Sequence, residues 1–289
     1  MTIAAPPARQ LALFHPGPGD IAPRDAQDLM SWPFFSLAKR KRTAPIRFTM
    51  GKTWIDVEAT HEHGMATIWD ADILIWAASQ IVEARDMGRP TSRLMAATPH
   101  EILRFIRRSA GGDHYGRLKA ALDRLQSTSV ATSIRQSDGR RRHRFSWINE
   151  WKERLDASGR PVGIELILPD WFYAGILDRG LILTIDPAYF SLTGGLERWL
   201  YRIVRKHGGR QLNGWSFDVA HLYLKSGMLE PSRHFAFRLR RLVTAQPLPG
   251  YRLTLETMQG RERLHFVAEP VDPIRQAMRR IRQDRRSRA

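Results

Sequence analysis

The sequence predicts an α+β protein of two tandem winged-helix domains, each a helix-turn-helix plus a β-hairpin wing, with a basic C-terminal helix. Three observations carry that expectation. A short helix, a Gly-containing turn, a longer basic helix and a two-stranded hairpin occur in that order over residues 99–150 and again over 216–268. Leu122 and Leu125 of the first copy correspond to Leu239 and Leu242 of the second, and a hairpin turn follows at nearly the same distance. Lys and Arg total 46 against 29 Asp and Glu, a formal charge of +17 on 289 residues. Such a surplus attracts polyanions by counterion release and makes their binding salt-sensitive. A helix-turn-helix backed by a β-ribbon is suited to placing one helix in a DNA groove.

Taken in order, residues 1–30 hold Pro6, Pro7, Pro16, Pro18 and Pro23 among glycines and read as an extended lead. Residues 31–160 are expected to form the first winged-helix domain, preceded within it by a hairpin. Ile46–Met50 and Thr53–Val57 alternate across the two-residue turn Gly51-Lys52. Asp70 is placed to cap a helix from Ile73 to about Arg85, with Ile73, Trp76, Ala77 and Ile81 on one stripe. Residues 161–190 read as a packed bridge: a strand at Ile164–Leu168, a short helix at Pro169–Leu177 and a strand at Leu181–Ile185. Residues 191–270 are the second winged-helix domain, opened by a helix over Leu196–Lys206. Residues 271–289 are a basic helix carrying seven arginines and two acids.

The groups expected to touch DNA follow from helical spacing. On the helix from Asp113 to Ser127, Leu118, Leu122 and Leu125 face the core, so Arg117, Ala120, Arg124 and Ser127 lie outward. Small residues between arginines let a helix approach base edges; a plain solvated face is the alternative. On the helix from Pro231 to Thr244, Phe235, Leu239, Leu242 and Val243 point inward and Arg233, Phe237, Arg240 and Arg241 outward. Phe237 either meets a thymine methyl or packs on a neighbouring part of the chain. The first wing holds Arg140, Arg141, Arg142 and Arg144 after a tight turn, with Arg135 on its partner strand. Arginines there would hold backbone or minor groove. Lys39–Arg42 would grip phosphates or form a solvated basic turn.

Other chemistry finds little support. No cysteine is present, so thiol catalysis and Cys-ligated zinc are excluded, and no cofactor is expected. Gly51-Lys52-Thr53 has Ile46 where a phosphate-binding loop needs glycine. His61-Glu62-His63 lacks the apolar residue that separates the histidines of DNA-nicking initiators. Asp70-Ala71-Asp72 resembles an acidic catalytic pair, but capping explains Asp70 more simply. No apolar run approaches the length of a membrane span, and the N-terminus lacks a secretion signal, so a cytoplasmic, nucleoid-associated protein is expected.

Four stretches carry a family resemblance: Met30-Ser31-Trp32-Pro33-Phe34-Phe35-Ser36-Leu37-Ala38-Lys39, Ile68-Trp69-Asp70-Ala71-Asp72-Ile73-Leu74-Ile75-Trp76, Ala97-Thr98-Pro99-His100-Glu101-Ile102-Leu103 and Leu192-Thr193-Gly194-Gly195-Leu196-Glu197-Arg198-Trp199-Leu200-Tyr201. Over about residues 25–270 the chain resembles bacterial replication initiator protein A, a family encoded by plasmids and integrating mobile elements of Proteobacteria. The resemblance transfers no catalytic signature. It implies non-catalytic, sequence-specific binding of repeated duplex sites at an origin, by analogy with the tandem winged-helix initiators of iteron plasmids. The partners it implies are origin DNA, a host replication initiator or helicase, and a second copy of the chain as a homodimer. A transcriptional regulator or autorepressor of a mobile element is the alternative, and a nicking or priming enzyme a third.

Overall fold

The computed structural model describes residues 11–17, 21–109, 111–136, 143–209 and 211–269. β1 (Arg24–Ala26) runs into α1 (Gln27–Ser31), followed by the hairpin of β2 (Ile46–Met50) and β3 (Thr53–Glu58). α2 (Ala71–Asp86) is buried at every residue from Ala71 to Val82, as befits a central helix that is apolar most of the way round. β4 (Leu94–Ala97) leads to α3 (Pro99–Phe105), which the reciprocal Thr98–Glu101 capping box initiates. α4 (Gly112–Ser127) precedes two hairpins, β5 (Ser129–Thr132) with β6 (Arg144–Ser146) and β7 (Glu150–Leu155) with β8 (Pro161–Ile167). After α5 (Asp170–Leu177) and β9 (Ile182–Thr184) come α6 (Gly195–Gly208), β10 (Trp215–Asp218), α7 (Val219–Ser226), α8 (Ser232–Ala245), β11 (Tyr251–Met258) and β12 (Arg261–Ala268). The last hairpin turns through Gln259 and Gly260, both at positive φ (51° and 73°), as a two-residue turn matched to strand twist requires.

The repetition read from the sequence persists with different strand partners. α2, β4, α3, α4, β7 and β8 follow the same order as α6, β10, α7, α8, β11 and β12. The corresponding sheets have matching orders, β4-β8-β7 and β10-β12-β11. β5 and β6 pair with one another as expected, Val130 opposite Phe145, but they are inserted between α4 and β7 and extend the first hairpin into the sheet β2-β3-β5-β6. The hairpin placed like β11–β12 is therefore β7–β8, not the arginine-bearing one. Ile164–Leu168, expected in a bridge, instead supplies most of the central strand of the first unit's sheet: Ile164 pairs with Ala97 on one side and Glu153 on the other. A boundary at residue 160 would cut this hairpin at its turn.

Described residues of the proline-containing lead are paired where its composition implies an extended run. The Phe14 N–H donates to Leu94 O at 2.8 Å, the Ala96 N–H donates to Phe14 O at 3.0 Å, and the Phe14 ring is buried. Farther along, β1 pairs with β9. The basic C-terminal helix expected over 271–289 lies outside the described residues.

One continuous apolar core includes α2, α4, α6 and α8. At its centre Phe35 stacks on Trp147 and Phe145 on Trp171, each pair at 4.9 Å. Two ion pairs join α6 to the first half of the chain. Arg198 donates to both oxygens of Asp72 at 2.7 and 2.9 Å, and Arg202 donates to Asp25 at 2.7 and 2.9 Å. All four side chains are at most 2% exposed. Removing charges from water is costly unless geometry and further hydrogen bonds compensate. Arg198 meets that condition by also donating to Leu192 O (2.7 Å) and Phe190 O (3.0 Å). Among the described residues no helix is long and apolar enough to cross a membrane.

Candidate nucleic-acid interface

α8 presents the face its spacing predicts. Phe235 and Leu239 are fully buried and Leu242 and Val243 partly so, which leaves Arg233, Phe237, Arg240 and Arg241 outward. Phe237 is 59% exposed, so it is not consumed by packing on the rest of the chain. Arg240 reaches back to the hairpin, donating through Nε and Nη2 to Glu262 of β12, both at 2.9 Å. Those hydrogen bonds hold its guanidinium above the usual range. The pair stands in solvent, where such contacts are screened and readily exchanged. Among the described residues Arg233 has only a long 3.5 Å approach to His234. Arg241 is exposed.

α4 agrees in its core face and differs on its outer one. Leu118, Leu122 and Leu125 are buried, and Arg117 and Ala120 are exposed. Arg117 makes an exposed pair with Asp113 at 2.6 Å, one turn back on the same helix. Arg124 is not an outward-facing group. Its Nε and Nη2 donate to the two oxygens of buried Asp70 at 2.8 and 2.7 Å, and those hydrogen bonds raise its pKa. Asp70 accordingly does not cap α2; it accepts from the Thr67 N–H at 2.7 Å and from Arg124. Asp72 is likewise consumed, by Arg198. The two acids of the Asp-Ala-Asp motif thus serve opposite structural partners.

Arg135 is also internal. It pairs with Asp28 at 2.8 Å, donates to Trp171 O at 2.8 Å and lies 3.9 Å over the Trp171 ring. Burial lowers its pKa, with Asp28 opposing. Gly175 of α5 leaves the space, since a Cβ there would stand 2.5 Å from the guanidinium. Arg144 is exposed and paired with Glu58 at 3.0 Å. Arg140, Arg141 and Arg142 lie outside the described residues. Of the basic run, Lys39, Arg40 and Lys41 are exposed, but Arg42 is a buried staple that donates to Ala44 O, Pro45 O and, at 2.6 Å, Gly227 O.

Sequence reasoning did not single out Arg104, Arg107 and Arg108, all exposed at the elbow between α3 and α4. The clustering of three arginines within five residues was the available signal. Gly51-Lys52 forms a hairpin turn, and His61–His63 lie in a turn. Among the described residues no group of three or more His, Asp or Glu is placed to hold a metal.

The chain matches the family described as Replication initiator protein A over residues 24–253. It is 32% identical over 228 residues to a "Putative replication protein" of Wigglesworthia glossinidia brevipalpis, covering 78% of this chain and 82% of that one. Its fold is similar to crystal structures of domains 2 and 3 of RctB. One matches with a TM-score of 0.60 at 14% identity, covering 82% of this chain and 95% of the other. A second gives 0.56 at 15% identity, covering 85% and 97%.

Proposed function

Since the chain belongs to the replication initiator protein A family, we propose that it binds duplex DNA sequence-specifically at an origin and starts replication of a plasmid or integrating element without itself catalysing a reaction. Each repeated unit acts as a winged helix, with α4 and α8 as recognition helices. The observation that carries this reading is the outer face of α8, where Arg233, Arg240 and Arg241 surround the solvent-held ring of Phe237. Guanidiniums can reach guanine edges or phosphates, and an apolar ring between them suits a thymine methyl. Arg117 gives α4 a sparser version, and Arg144 with the neighbouring Arg140–Arg142 run adds backbone contacts. Host helicase or initiator would be recruited to the bound origin.

Binding of the full chain to DNA flanking its own gene, against a scrambled duplex at fixed salt, tests the reading. Phe237→Ala and Arg240→Ala should each reduce the preference for the flanking DNA, by about 1–3 kcal/mol where a bidentate base contact is lost. Unchanged discrimination in both variants would remove α8 as the reader. Protection confined to an inverted repeat at the gene's promoter would assign transcriptional regulation instead.

A further inference from the structure

The elbow between α3 and α4 ends in arginines that the fold leaves unanswered. Among the described residues, Arg104, Arg107 and Arg108 have no ion-pair or side-chain hydrogen-bond partner, whereas Arg117, Arg124, Arg135, Arg144 and Arg240 each meet an acid. Arg104 lies one turn on from exposed His100 along α3, and Arg107 and Arg108 follow in the turn that closes the helix. Burial lowers the Arg108 pKa; Asp72 opposes this, and the nearby Arg198 and Arg117 charges lower it further.

Backbone geometry makes the choice of residue informative. Arg107 has φ 56°, in the left-handed region that favours glycine. That conformation lets the Arg107 N–H donate to Arg104 O at 3.1 Å and the Arg108 N–H donate to Leu103 O at 2.8 Å, closing the helix. At the matching elbow after α7 the left-handed residue is Gly227, φ 61°. Glycine would serve the first turn equally well; arginine adds only a side chain directed to solvent. A side chain kept at a conformational cost calls for a function.

We propose that Arg104, Arg107 and Arg108 form a phosphate clamp that seats the first unit on the duplex backbone and positions α4 over the groove. This rests on the chain being a duplex-DNA binder. The clamp holds backbone phosphates and reads no bases, so it acts alike on any sequence.

The test uses the full chain and a fluorescent random-sequence duplex, with affinity measured across a salt series beside the duplex flanking the gene. Combining Arg104→Gln, Arg107→Gly and Arg108→Gln should flatten the slope of log K against log salt by about 2.7, at about 0.9 per phosphate contact. Both duplexes should weaken in parallel. Arg107→Gly alone should raise Tm, by relieving the left-handed arginine, and flatten the slope by about 0.9. An unchanged slope in the triple variant, with duplex binding intact, overturns the clamp alone. A loss confined to the flanking-gene duplex also overturns it, because the elbow would then read bases. Failure of the parent chain to bind either duplex at low salt removes the DNA-binding reading and the clamp with it.

Discussion

Replacing Asp72 with Asn tests how tightly α6 is joined to the rest of the fold. The substitution preserves shape and removes the only carboxylate bonded to Arg198 among the described residues, leaving a guanidinium with 0% side-chain exposure. Burial pushes the Asp72 carboxyl up to about 6 while Arg198 pulls the other way, and two hydrogen bonds of 2.7 and 2.9 Å from Arg198 favour the carboxylate. Breaking a buried pair from one side costs about 3–5 kcal/mol, because the surviving charge is uncompensated. In a chain of this size that lowers Tm by on the order of 10 °C. Arg198→Met should cost more, since the Leu192 and Phe190 carbonyls then lose their donors as well, at about 1–3 kcal/mol for each group left unpaired. The double variant Asp72→Asn/Arg198→Met removes both charges, and its loss should fall short of the sum of the single losses by about 2–3 kcal/mol. Urea unfolding followed by tryptophan fluorescence and far-UV dichroism measures all three. Strict additivity, or a loss below about 1 kcal/mol for Asp72→Asn, would refute the claim that the pair is desolvated and coupled.

Other expectations follow from the same geometry. Arg124→Ala should destabilise the chain by about 1.5–3 kcal/mol, the worth of hydrogen bonds to a charged group, by leaving buried Asp70 short of a partner; a change in DNA preference without loss of Tm would return Arg124 to the DNA face. Gly195→Ala should cost about 1–3 kcal/mol or more through overpacking, because the added Cβ would stand 2.1 Å from Leu37 O; an unchanged Tm would contradict the close approach of α6 to that backbone. Burial, and then the charges of Lys206, Lys225 and His221, push the His207 imidazole down to about 4. The folded chain therefore keeps His207 neutral where the unfolded chain protonates it, so its contribution to stability is complete above pH about 6.5 and is lost as pH falls toward about 4. Thermal melts across that window should show a shallower acid-side decline in His207→Gln than in the parent, and identical declines would refute the assignment.

The helix faces were legible because an apolar stripe at helical spacing is a local property: Leu118, Leu122 and Leu125, or Phe235 and Leu239, must turn inward together. The two-residue turn at Gln259-Gly260 was legible for the same reason. Arg124 and Arg135 were misread because their partners are remote in sequence. Asp70 lies 54 residues from Arg124, and Arg135 meets Asp28 and Trp171 only after folding. An outward-looking arginine and a buried one share the same local pattern. The lead was misread because composition carries no record of pairing: Asp25 finds Arg202 across 177 residues. The first wing shows the same limit, since a run such as Ile164–Leu168 fits a connecting strand or a sheet centre equally well. Which hairpin joins which sheet is decided by long-range pairing.

On the proposed reading, the outer faces of α4 and α8 bind duplex DNA beside one another. Footprinting the DNA that flanks the gene, with the parent chain and with a Phe237→Ala/Arg241→Ala variant, tests it most directly. Protection of repeated sites is expected in two major-groove blocks about 10 base pairs apart, the spacing of consecutive turns. In the variant, the block read by α8 should fade while the other persists. Protection that is uniform along any DNA, or unchanged in the variant, would contradict it.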